Sequence, residues 1–205
     1  MTDEQVKRSL SQQQWDFLEG EFLSSSISGA LQHSSTYATE KVKDREKVRR
    51  EIRNVLCELA ERYSTKVTEV DHVKNIKELA CRVKKKQCGP FLKDGELRFP
   101  VAAKALNLYL KFLWCFGKIT IPPPHCPFDR GEIQGLLGFK EDDWTKVVDV
   151  DVYRKWVRKA EELRKAEDLR DERDANNPRS LAEWELDAWS RAQPEGKAGC
   201  PRTEP

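Results

Sequence analysis

Residues Val101 to Phe116 read Val-Ala-Ala-Lys-Ala-Leu-Asn-Leu-Tyr-Leu-Lys-Phe-Leu-Trp-Cys-Phe, a stretch apolar on most sides of a helical turn. A helix of that kind must be enclosed by other elements, so the stretch predicts a central buried helix. It falls short of the roughly 18 uninterrupted apolar residues a membrane span needs. Gly117 stands where a C-terminal cap belongs. Pro122, Pro123, Pro124 and Pro127 then exclude regular helix.

The rest of the chain supplies helices to surround it. Leu10, Phe17, Leu18 and Phe22 predict a first amphipathic helix, ended or bent by Ser24-Ser25-Ser26. Val42 to Tyr63 repeats apolar residues at steps of three and four, predicting a helix from about Glu40 to Arg62. Val70, Val73, Ile76, Ala80 and Val83 predict another, and Gly89, Pro90, Asp94 and Gly95 mark a turn. Asp129 with Glu132 resembles a capping pair for a short helix ending at Gly138. Asp149 to Asp174 reads as a largely solvated helix, and Asn176-Asn177-Pro178 breaks it. Ser180 with Glu183 opens the last helix. Trp144, Trp156, Trp184 and Trp189 are expected to close a C-terminal packing layer. The expectation is an all-α fold, one domain of about seven helices over residues 1–192, with a disordered tail over 193–205.

The polar N-terminus predicts no secretory signal. Six cysteines without framework spacing are expected to be reduced thiols in a cytoplasmic protein. The net charge of +2 hides an asymmetry. Residues 41–118 carry 20 basic against 10 acidic side chains, and residues 119–153 carry three against seven. Arg82, Lys84, Lys85, Lys86 and Lys93 cluster with no acid among them up to Lys93. Such a cluster suits a polyanion, nucleic acid above all, or else a solvated helix end. No membrane partner is expected. His33 and His72 lie in polar surroundings and are expected at the surface.

Two features suggest chemistry. Lys104, Asn107 and Lys111 lie on one face of the central helix. Unpartnered ammonium groups are costly to bury, so that face must meet water, a carboxylate or a phosphate. After the three prolines comes His125-Cys126-Pro127-Phe128-Asp129-Arg130. A stiff loop of this kind can fix side chains within a site, or simply turn a corner with Asp129 as a cap.

Residues 99–133, with a lysine in a buried helix, a glycine end, a proline-rich connection and Pro-x-Asp opening the next helix, resemble the catalytic core of helix-hairpin-helix DNA glycosylases. The resemblance implies Lys104 as the amine that attacks the sugar carbon and Asp129 as the carboxylate that assists base loss. Around that pair, Asn107, Lys111, His125, Phe128 and Arg130 are expected to flank the substrate, with DNA as partner and no cofactor. The sequence departs from that family in having no Gly-x-Gly hairpin before Lys104 and no four-cysteine iron–sulfur spacing. Phe128 or Trp114 would stack on a flipped base.

Other readings stand beside this one. A non-enzymatic helical module would use the basic middle to bind nucleic acid or an acidic partner. Cys115, His125 and Cys126, with Cys81 or Cys88, are possible zinc ligands that lack the usual spacing. No phosphate-loop, dinucleotide or nucleophile-elbow motif is present.

Overall fold

The computed structural model describes residues 10–32, 34–129, 131–139, 150–173 and 178–192. Arg130, His33, Trp144 and the stretch 193–205 lie outside the described residues, as does the Lys86 side chain. Among the described residues there are six α-helices and no strand. An isolated antiparallel bridge joins Tyr37 to Leu92. The chain is all-α, with one α-helix fewer than expected because the segment after Asp129 winds as a π-turn over Gly131–Leu136.

The helices are α1 (Gln12–Leu31), α2 (Val42–Ala60), α3 (Glu69–Val83), α4 (Phe99–Cys115), α5 (Val150–Arg170) and α6 (Leu181–Ala192). Helix α1 begins at a capping box in which Ser11 and Gln14 bond reciprocally. It runs on through the serines expected to end it. Ser26 Oγ donates back to Phe22 O (2.7 Å), while Ser24 and Ser28 accept from Arg53 and Arg49 of α2. Their hydroxyls are thus taken up by the helix itself and by its neighbour, and do not compete for the backbone. Thr68 caps α3, and Ser180 with Glu183 forms the box expected at α6.

Helix α4 is the buried axis. Leu106, Leu110 and Leu113 are core residues, and α1 packs along α4 at short range. Gly29 makes that approach possible, since a Cβ there would sit 3.1 Å from Leu108 Cδ1. Gly117, at φ +81°, closes α4: its N–H donates to Trp114 O, and Lys118 N–H donates to Leu113 O. This is the double bond pattern of a left-handed glycine cap. Trp156 and Trp184 are fully buried as expected, whereas Trp189 is half exposed. Arg179 ties α5 to α6 through Asp168 (2.6 Å) and Asp187 (2.8 Å), and Arg164 also holds Asp168.

Candidate active site

The polar stripe of α4 is covered at each position by a different element. Lys104 Nζ donates to Asp129 Oδ2 at 3.1 Å. Lys111 Nζ donates to Glu185 Oε2 of α6 at 2.5 Å and lies 5.9 Å from the Trp189 ring centre. Asn107, between them, is fully buried. Of the partners open to this face, carboxylates hold the two lysines. This is the arrangement that offsets the desolvation of a largely buried ammonium.

The proline-rich segment sets Asp129. Its Oδ1 accepts from Gly131 N–H (2.7 Å), and its carbonyl accepts from Ile133 N–H (2.9 Å). Asp129 therefore caps the π-turn with one oxygen and the backbone, and meets Lys104 with the other oxygen. Its side chain is 38% exposed against 11% for Lys104, so the pair opens toward solvent on the carboxylate side. Glu185 is far more enclosed. Burial pushes its carboxyl up, the nearby Asp129 charge adds to this, and Lys111 opposes both.

Beneath the pair lies a buried polar network. Asn75 Nδ2 donates to Tyr63 Oη (3.0 Å), and Tyr63 Oη lies 2.7 Å from His72 Nδ1. His72 Nε2 lies 2.9 Å from Asn107 Oδ1. Asn107 Nδ2 donates to Cys126 O (2.9 Å) and to Tyr153 Oη (3.2 Å), and Tyr153 Oη lies 2.8 Å from His125 Nδ1. The two imidazoles meet edge to face, ring centres 4.6 Å apart. Burial lowers the His72 pKa to about 4, against a small opposing effect of the Asn107 hydrogen bond. Burial, and then His72, hold His125 well below its ordinary value. Both rings are neutral at pH 7. Among the described residues His125 Nε2 is buried with no hydrogen-bond partner, 4.0 Å from Glu69 Oε1.

Several of the expected substrate contacts lie in the interior or are held by other residues of the chain. Asn107 and His125 lie in the interior, Asn107 with its amide engaged in the network and His125 joined to it through Nδ1. Phe128 is buried against Tyr153 and Trp156, so its ring is not a free stacking platform. His72, expected at the surface, is fully buried. Its turn of α3 faces Tyr63 and α4, which a polar run of sequence does not reveal. Lys111 is committed to Glu185, a partner that no local signal reveals because it lies 74 positions away. Arg130, expected beside the substrate, lies outside the described residues.

The basic cluster is split. Arg82 pairs with Glu58 (2.6 Å) and Glu78 (3.5 Å), and Lys84 with Glu96 (3.4 Å). Lys85 and Lys93 are exposed. Among the described residues no cluster of three His, Cys, Asp or Glu side chains could hold a metal ion. Cys115 is exposed while Cys126 and His125 are buried, so the suggested ligand set does not converge. No family model, curated protein or solved structure matches the chain.

Proposed function

We propose that the chain binds DNA and carries out glycosylase/lyase-like base-excision chemistry, with Lys104 as the amine nucleophile and Asp129 as the assisting carboxylate. The observation that carries this reading is the 3.1 Å approach of the Lys104 amine to Asp129, brought together from 25 positions apart. At an abasic site the sugar offers an aldehyde carbon. Asp129 takes a proton from the ammonium, and the free amine adds to that carbon. Asp129 returns that proton to the carbinolamine hydroxyl, which leaves as water, and an iminium link remains. During base release the C1′–N bond breaks with its electron pair going to the base, and the Asp129 charge opposes the positive character left on the sugar. The reading places the protein with DNA in the cytoplasm. Among the described residues no helix is long and apolar enough to cross a membrane.

Borohydride trapping on DNA carrying an abasic site tests this proposal directly, because reduction of the iminium leaves a permanent amine link. Wild type should form the adduct. Lys104→Gln should form none while keeping its helical spectrum. Asp129→Asn keeps the Oδ1 acceptor for Gly131 and caps about as well, but it should slow the reaction by roughly 10²-fold, the scale of proton-transfer assistance. Absence of a wild-type adduct sinks the proposal.

A second reading is favoured by one observation: Lys85 and Lys93 stand exposed on the basic segment, beside Arg82 and Lys84, which carboxylates of the chain already hold. On this reading the protein is a non-enzymatic module that docks nucleic acid or an acidic partner through what remains of the basic face. If phosphates are bound there, neutralising Lys84, Lys85 and Lys86 together should flatten the dependence of log affinity on log salt by roughly three, about one per lost contact. Binding with that slope and no covalent adduct would decide for the module.

A further inference from the structure

The hydrogen-bond directions in the buried network follow from its ends. Cys126 O and Tyr153 Oη are the groups 2.9 and 3.2 Å from Asn107 Nδ2, and a carbonyl can only accept. The amide nitrogen of Asn107 therefore faces the loop, and Oδ1 faces His72. His72 Nε2 must then carry the proton. Because the ring is neutral, Nδ1 accepts from Tyr63 O–H, and Tyr63 Oη accepts in turn from Asn75. Asn75 Oδ1 is held by Arg62 Nη1 at 2.7 Å. Every step from Arg62 to Cys126 thus has a single direction, and Asn107 is where three elements meet: α3 through His72, α5 through Tyr153, and the proline-rich loop through Cys126.

We infer that Asn107 is the positioning residue of the site: its amide clamps the Cys126 carbonyl, three residues before Asp129, and so seats the Asp129 carboxylate on Lys104. The position needs one acceptor and two donors on a short stem inside an apolar helix, and asparagine meets that need. Both of its N–H donors are engaged, and its oxygen already accepts from His72. The catalytic part of the inference rests on the Lys104–Asp129 reading above; the clamp itself does not.

Asn107→Asp separates the two. The substitution keeps the shape and turns both donors into acceptors facing a carbonyl and a phenol. The titratable groups around position 107 are His72 of α3, Tyr153 of α5, and His125 and Cys126 of the loop; the three rings are neutral at pH 7, and Lys104 and Lys111, one turn away on α4, are each already held by a carboxylate. A buried carboxylate among them favours its protonated form. Once protonated, it regains one donor for Cys126 O.

The clamp is read by hydrogen-exchange protection of the Gly131 and Ile133 amides, which bond to Asp129. At pH 8 Asn107→Asp should lose at least tenfold protection at these two amides relative to wild type, with α2 amides unchanged. At pH 5.5 most of that protection should return. Asn107→Ser, which has no titrating group, should stay loose at both pH values and keeps the test open if the aspartate variant fails to fold at pH 8. Cyanoborohydride trapping on abasic DNA should follow the same pH pattern in Asn107→Asp, falling at least tenfold at pH 8 and recovering at 5.5. Protection unchanged at pH 8 in both variants overturns the clamp. Protection that follows the expected pattern while even wild type forms no adduct retains the clamp and removes the catalytic reading instead.

Discussion

Acidification from pH 7 to pH 4 should remove about 3 kcal/mol of folding stability through His72 alone, since a tenfold change in proton affinity corresponds to about 1.4 kcal/mol. The ring is neutral and buried in the fold, with a pKa of about 4, against 6.5 when exposed. Below pH 6.5 the unfolded chain takes up a proton that the folded chain refuses, so stability is complete above 6.5 and falls as the pH drops toward 4. His125 is lowered too and acts in the same direction. Glu185 runs the other way, because its raised folded-state value favours the fold as it becomes protonated. Urea midpoints measured at pH 7, 6, 5 and 4 would show the decline. His72→Gln, which cannot titrate, should lower stability at pH 7 but flatten the slope between pH 6.5 and 4. An equally steep slope in that variant would locate the acid sensitivity elsewhere.

Leu110→Ala should cost about 2–5 kcal/mol, the range for truncating a buried leucine. Leu110 is 0% exposed in the helix on which α1, α2 and α3 all pack. The surrounding helices are held to one another, so the space left by the side chain cannot close without moving several of them. A domain of this size is stable by only about 5–15 kcal/mol, so the loss takes a large share of the total. Leu169→Ala, on the exposed face of α5, is the control and should stay within about 0.5 kcal/mol of wild type. Equal midpoints for the two variants in urea would show that α4 is not the structural axis.

The core helix is legible in the sequence because its signal is local: an apolar run, a glycine stop and a proline-rich connection all sit within 30 residues. The caps at Ser180 and Gly117 are legible for the same reason. Helix α1 extends beyond its expected end, because a serine run looks like a break until the partners of its hydroxyls are known. Those partners, Arg49 and Arg53, come from a different helix. Lys104, Asn107 and Lys111 do share one face as their spacing requires, yet their roles depend on groups 25, 19 and 74 positions away. Spacing shows which residues share a face. It does not show what covers the face, so Asn107 and His125 resemble contacts for a ligand in the sequence and prove to be internal joints in the fold.

The pairing of Lys111 with Glu185 also orders the making of the protein. When Lys111 is added to the growing chain, the carboxylate that will answer it is still 74 residues from being synthesised. At the usual pace of translation the wait is roughly 4–15 s. Throughout that interval the most apolar helix of the chain carries a cation on the face that α6 will cover, and an ammonium enclosed without its counter-ion is strongly disfavoured. The nascent chain thus has reason to leave that flank of α4 open to water until α6 arrives. Completion of the core thus waits on α6, made well after the helix that it covers.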